Sequence, residues 1–297
     1  MQLTVTFLRD DNRTATIYAL CAFFSFSAQS IILRQVSVDV SAMAIVGLRS
    51  AIAFQALVPL FVFDRRSLIP RRGLGLLFLR ALFTGLGMTT ATIAITHIPL
   101  ASFTLFQMSE VFFTMTLAAV FLKERISVRQ WWGITIGFFG VLLVLWPGAI
   151  AFSWWHLSAL SSACFLALSA CLFRLGRQDY SIAAVLFWQN LGVAVIFLPA
   201  GVVSWQTPSA TDVGLLTILS LMQAAAQVLY ARAIMTGALS SIAPLHYTRL
   251  VIVTILAYLI FHELPSLTEI VGALVICFGT WWAITRGRSR RRATLPH

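Results

Sequence analysis

The sequence predicts an all-α integral membrane protein of ten transmembrane helices, arranged as two inverted five-helix repeats with both termini in the cytoplasm. Three observations carry that expectation. The 297 residues are 59% hydrophobic and only 10% charged, with a mean hydropathy of +0.89, outside the range of water-soluble domains. The apolar residues fall into ten runs, each close to the roughly 20 residues that a bilayer core requires. The second half of the chain repeats the first.

The repeat is positional. A shift of 139 lays Leu100–Val144 on Leu239–Ala283, placing Glu124 on Glu263, Ser127 on Ser266, Gly133 on Gly272, Phe139 on Phe278 and Gly140 on Gly279. A shift of 140 extends the match backwards: Ala19, Leu20, Arg34, Ser41, Ala44 and Pro59 recur as Ala159, Leu160, Arg174, Ser181, Ala184 and Pro199. An ordered series at a nearly fixed offset is the mark of a duplicated unit.

In chain order the runs cover roughly 15–34, 42–63, 73–95, 99–121, 128–146, 155–174, 181–204, 211–235, 240–261 and 267–285, and are called spans 1 to 10 below. Charged residues and Pro, Gly or Ser breaks separate them. Residues 1–14 are too polar for the apolar heart of a signal peptide, so span 1 is expected to stay as a helix. Gly133 and Gly137 give span 5 a G-x-x-x-G face that Gly140 nearly continues, and Gly272, Ala273 and Gly279 do the same for span 10. Both spans are therefore expected to pack closely and, carrying no buried charge, to brace the bundle or face a partner and not to line the path.

Basic residues set the orientation. With the N-terminus inside, the inner segments hold Arg9 and Arg13, then Arg65, Arg66, Arg71 and Arg72, then Lys123, Arg125 and Arg129, then Arg174 and Arg177, and finally Arg286, Arg288, Arg290, Arg291 and Arg292. Outside falls Arg34, beside Asp39. Five spans per copy is an odd number, so the second copy enters the bilayer upside down: Arg34 lies outside and Arg174 inside, Glu124 inside and Glu263 outside. The resulting parts are a cytoplasmic segment 1–14, a first repeat 15–146, a second repeat 155–285 and a basic cytoplasmic tail 286–297. Inverted repeats are how many transporters place two similar gates around one mid-bilayer site.

Residues 122–143, LKERISVRQWWGITIGFFGVLL, and their copy at 261–279, FHELPSLTEIVGALVICFG, are similar to the drug/metabolite transporter superfamily, in its bacterial ten-helix branch of two EamA-type repeats. The resemblance runs from residue 15 to 285. It implies export of amino acids and other small metabolites or drugs across the inner membrane, with aromatic amino-acid exporters of the YddG type as the preferred relatives. Many relatives carry a proline in the middle of spans 4 and 9, where this chain has Val111 and Leu250, so a gating kink does not carry over to those positions.

An ionised side chain at the bilayer centre costs about 2.5–3.5 kcal/mol on insertion scales and needs a partner or a wet cavity. Arg49 in span 2, Glu110 in span 4 and Arg249 in span 9 stand out. Under the 139 shift Glu110 and Arg249 are one position in the two copies, and Gln107 and His246 are another, one turn earlier. Glu110 with Arg249 reads either as a structural ion pair or as part of a substrate or proton site. Gln223, Gln227 and Tyr230 share one face of span 8, Trp188, Gln189 and Asn190 lie together in span 7, and Gln29 and Thr90, with Thr89 and Thr92, add polar groups in spans 1 and 3. These suit either interhelical hydrogen bonds or a cavity between spans 1–4 and 6–9 that takes an amphiphilic solute by its carboxylate and its rings. His97 and His262 read as surface residues, and His156, beside Trp154 and Trp155, as part of the interfacial aromatic belt.

The composition excludes other classes. The net charge of +11 sits between apolar runs with no nucleic-acid-binding fold motif, so no nucleic acid is expected as a partner; the partners are the lipid bilayer and a small-molecule substrate, and oligomeric state has no sequence signal. Cys21, Cys164, Cys171 and Cys277 lie inside apolar runs without metal or disulfide spacing. No phosphate-cradling glycine motif is present; no cofactor or metal is expected. A drug or cation efflux protein with Glu110 as the proton carrier keeps the same fold. An embedded enzyme has only Glu110 with His246 to offer and leaves the repeat unexplained, so no enzymatic activity is expected.

Overall fold

The computed structural model describes residues 12–36, 40–63, 68, 73–121, 128–144, 153–175, 181–202, 209–236, 246–264 and 266–284. Regular structure in these residues is helical: α1 (Asn12–Gln35), α2 (Ala42–Ala56), α3 (Val58–Phe63), α4 (Leu74–His97), α5 (Leu100–Gln107), α6 (Ser109–Phe121), α7 (Val128–Val144), α8 (Trp154–Leu175), α9 (Ile182–Val202), α10 (Ala210–Thr236), α11 (His246–Phe261) and α12 (Leu267–Ile284). Five stretches are long and apolar enough to cross a membrane by themselves: Thr14–Gln35, Leu74–His97, Trp154–Phe173, Ile182–Gly201 and Ala210–Ala233. Shorter apolar helices include Ala42–Ala56, Thr248–Phe261 and Leu267–Gly279.

Two of the predicted spans are divided. Span 2 becomes α2 and α3 because Pro59 has no N–H to continue the ladder; Leu57 N bonds Ala53 O at 3.1 Å and Phe61 N resumes on Leu57 O at 3.2 Å. Span 4 becomes α5 and α6 without a proline. At Met108 the ladder tightens to a three-residue step, Val111 N donating to Met108 O at 3.2 Å, between the polar side chains of Gln107, Ser109 and Glu110.

The helices close a ring. α1 packs on α10, α10 on α2, α2 on α9, α9 on α4, α4 on α8, α8 on α5 and α6, α5 on α11, and α11 back on α1. Written as spans, the order is 1, 8, 2, 7, 3, 6, 4, 9, and exchanging spans 1–4 with spans 6–9 turns the order into itself. The segment α5 fills much of the core: Leu100, Phe103, Leu105 and Phe106 are almost wholly buried. Where α2 meets α9, a side chain at Gly201 would come within 2.5 Å of Ala44 Cα, so backbones touch there.

Spans 5 and 10, α7 and α12, pack on each other. A Cβ at Gly279 would lie 2.5 Å from Gly133 O and 2.6 Å from Gly137 N, so the predicted glycine faces meet, as small residues allow. One expectation fails here. Glu269, in the first turn of α12, is a buried carboxyl group. It closes a capping box with Ser266, Ser266 N donating to Glu269 Oε2 at 2.7 Å and Glu269 N to Ser266 Oγ at 3.3 Å, and it also accepts from Ser102 Oγ of α5. His156 is a second correction: it is 4% exposed, with Ser153 N donating to its Nδ1 at 3.2 Å and its ring edge-on to Phe106. Its place at the start of α8 turns it inward, while Trp154 stays exposed.

Candidate functional site

Two arginines within the helices meet adjacent residues of α1. Arg49 Nη2 donates to Gln29 Oε1 at 3.1 Å, and Arg249 Nη2 reaches Ser30 Oγ at 3.5 Å. Gln29 Nε2 extends the chain to Ser25 Oγ at 3.5 Å, and Ser25 Oγ donates to Met222 O of α10 at 3.2 Å. Thus α2 and α11 each bring a guanidinium to successive positions of α1, where a residue step of about 100° aims them apart.

Glu110 stands in the first turn of α6, where the helix dipole favours a carboxylate. It and Arg249 feel each other's charge, yet among the described residues the ion pair that forms is Arg34–Glu263, so Glu110 and Arg249 face each other without closing to contact. Among the described residues Arg49 forms no ion pair, so two guanidiniums stand here with Glu110 as the acid that faces one of them.

Several polar atoms at this level are sealed from solvent and lack a hydrogen-bond partner among the described residues: Arg49 Nε, Ser50 Oγ, Gln107 Oε1, Ser109 Oγ, Gln223 Oε1 and Arg249 Nε. A buried unsatisfied group costs about 1–3 kcal/mol, more when charged. Such a concentration on four of the ring's spans suits a site whose remaining bonds are made by solvent or solute.

The other predicted residues divide. Gln107 Nε2 donates to Ser162 Oγ at 3.0 Å, and Ser162 Oγ to Gly87 O at 2.9 Å, tying α5 to α8 and α4. Asn190 Nδ2 donates to Gln227 Oε1 at 3.0 Å and to Leu186 O at 2.9 Å, an interhelical bond between α9 and α10. Gln189 is buried. Trp188 Nε1 donates to Leu68 O at 2.9 Å, with Phe78 and Phe187 against its ring, and Tyr230 packs on Phe23 and Phe26. Thr90 Oγ1 bonds back to Leu86 O at 2.9 Å. The His246 side chain lies outside the described residues. The structure therefore brings Arg49 to Gln29, Arg249 to Ser30 and Glu110 opposite Arg249, and leaves Arg49, Gln107, Gln223 and Arg249 each with a buried polar atom lacking a partner among the described residues, while Thr90, Trp188, Asn190, Gln227 and Tyr230 have internal partners.

Two features are absent from the sequence reading. One is a tie at the end of the bundle where α1 stops, α4 hands over to α5 and α11 to α12. Arg34 Nη2 lies 2.6 Å from Glu263 Oε1, its Nη1 donates to Ile98 O at 3.1 Å, Leu100 N donates to Glu263 Oε2 at 3.1 Å, and the guanidinium lies over the Phe261 ring. The recurrence of both residues in the repeat was the signal available for it. The other is Arg80, on α4, a charge inside span 3 that the sequence reading does not single out with Arg49, Glu110 and Arg249.

A ring of apolar helices, five of them long and apolar enough to cross a bilayer, defines a multi-pass membrane protein. The chain belongs to the EamA-like transporter family, which it matches over residues 13–146 and 153–285, and it is a transporter, not an enzyme. It is 31% identical to the S-adenosylmethionine uptake transporter of Rickettsia bellii, over 69% of this chain and 71% of the relative. It is 26% identical to the pseudopaline exporter CntI of Pseudomonas aeruginosa strain PAO1, over 89% of this chain and 93% of the relative. A riboflavin transporter of Vibrio cholerae is 25% identical over 59% of this chain. One crystal structure superposes with a TM-score of 0.69 at 15% identity, covering 95% of this chain and 99% of that one, a likeness of fold alone. These relatives replace the expected aromatic amino-acid exporters of the YddG type: the residues that carried that resemblance lie in the repeat that the family model matches in both halves of the chain.

Proposed function

We propose that this protein is a secondary transporter of the bacterial inner membrane that exports amino acids, aromatic or otherwise apolar, and related carboxylated metabolites. Ten spans form two inverted repeats with both termini in the cytoplasm, and the solute passes between spans 1–4 and 6–9 by alternating access. The observation that carries the cargo reading is the charge imbalance: Arg249 faces Glu110, and Arg49 forms no ion pair among the described residues. A carboxylate supplies the missing anion, and an ammonium group finds Glu110. The self-mapping order of the ring supports inversion, because an in-plane two-fold axis exchanges spans 1–4 with spans 6–9. The Arg34–Glu263 tie closes the outer end.

A second reading has its own support. The relative at 31% identity is named for uptake of S-adenosylmethionine, which favours inward movement of a larger metabolite by the same site. Uptake of labelled phenylalanine and labelled S-adenosylmethionine into proteoliposomes, with and without a pH gradient, separates the readings. Saturable phenylalanine transport supports the first. Transport of S-adenosylmethionine alone replaces it with the second, and rates indifferent to the gradient remove proton coupling by Glu110.

A further inference from the structure

Arg34 is matched by Glu263, Arg249 faces Glu110 and Arg49 holds Gln29. Arg80 has no such match. Its Nε and Nη1 are sealed from solvent without a hydrogen-bond partner among the described residues, and its guanidinium lies over the Phe173 ring at 5.1 Å from the centroid.

Its neighbours cannot satisfy it. Arg80 stands six residues after Leu74 at the start of α4, about 9 Å along the axis, on the side that meets α8. One turn on, Thr84 Oγ1 donates to Arg80 O at 2.8 Å and lies 2.6 Å from Ser169 Oγ. The Thr84 proton is thus taken by the backbone and Ser169 supplies the second bond. These hydroxyls engage each other, and Phe173 covers one face of the guanidinium. Nε and Nη1 keep N–H donors without an acceptor among the described residues, and a guanidinium in that state suits an oxyanion.

We propose that Arg80 is a second anion-binding position, on the α4–α8 side and apart from Arg49 and Arg249, that takes the carboxylate of the cargo during its passage. The inference rests on the reading of the cargo as a small carboxylated metabolite. A phospholipid head group offers the same oxyanion chemistry, so the test separates the two sources.

The test uses the full chain as wild type, R80K and R80Q, in nanodiscs of phosphatidylcholine alone or with phosphatidylglycerol. Three probes are titrated: L-phenylalanine and S-adenosylmethionine, which carry a carboxylate, and riboflavin, which carries none. R80Q is expected to weaken binding of whichever carboxylated probe the wild type takes by about tenfold or more, equally in both lipids. R80K regains part of the loss, riboflavin is indifferent to the change, and ligand-free R80Q melts no lower than wild type. Unchanged affinity in R80Q overturns the proposal. So does a loss seen only with phosphatidylglycerol, which makes the lipid the anion, or a lowered melting temperature with unchanged affinity, which makes the role structural. Wild type binding S-adenosylmethionine but not phenylalanine removes the amino-acid reading and leaves Arg80 to be decided on the former. Binding of neither carboxylated probe overturns both.

Discussion

The Arg34 guanidinium meets the Glu263 carboxylate at 2.6 Å, joining the last turn of α1 to the segment between α11 and α12. Both partners also hold the α4–α5 junction, through Ile98 O and Leu100 N. Three chain segments that must separate for the bundle to open at this end are therefore tied at one point, by a pair about one-fifth exposed. Partial exposure keeps such a pair to a modest worth of about 1 kcal/mol, small enough to be broken in each transport cycle.

Replacing Arg34 by Gln is accordingly expected to favour opening at this end. With the native cysteines replaced, a single cysteine at buried Ile95 should react several-fold faster with a membrane-impermeant thiol reagent in R34Q than in the unmodified background. E263Q should act in the same direction, and the double variant should add little to either. Equal labelling rates in all four would show that the pair does not hold the bundle shut.

At the Arg49–Gln29 contact, 3.1 Å long, the two partners should differ in what their loss does. Gln29→Leu leaves a buried guanidinium with one fewer acceptor and should lower stability by about 1–3 kcal/mol, measured as a melting shift in detergent. Adding Arg49→Gln to it should recover part of that loss, because the unmatched charge goes with the side chain. A double variant no more stable than Gln29→Leu alone contradicts this account of the contact.

Gly279 is the place where α7 and α12 touch, with Gly133 O 2.5 Å from any added Cβ. Gly279→Ala should cost about 1–3 kcal/mol through forced separation of the helices, and Gly279→Leu should prevent accumulation of folded protein. Because this pair stands beside the ring, transport per folded molecule should stay unchanged in Gly279→Ala. A fall in that specific rate would put α7 and α12 in the path.

The fold was legible in the sequence where periodic burial and repetition speak, and the site only in part. Apolar runs and the echo at an offset of 139 located the helices, and the glycine faces of spans 5 and 10 announced close packing without naming the partner. The division of span 4 at Met108 was not legible, because the expected cause of a break is proline and none is present. Arg49, Glu110 and Arg249 stood out as charges within apolar runs, and the meeting of the two arginines with Gln29 and Ser30 followed from tertiary packing alone. Asn190 and Gln227 were visible as polar residues, but sequence spacing within one helix cannot show that each is the other's partner. Glu269 looked like an ordinary helix-start residue, and its burial depends on α5 lying against it.

Transport by the full chain in proteoliposomes tests the central claim most directly, that the excess of guanidinium over acid at α1 draws a carboxylated solute through the ring. Wild type is predicted to take up a labelled carboxylated metabolite, phenylalanine or S-adenosylmethionine, saturably and above protein-free vesicles, and R49Q to lose about tenfold or more in kcat/KM at equal folded content. Uptake by R49Q equal to wild type, or wild-type uptake confined to solutes without a carboxylate, would contradict it.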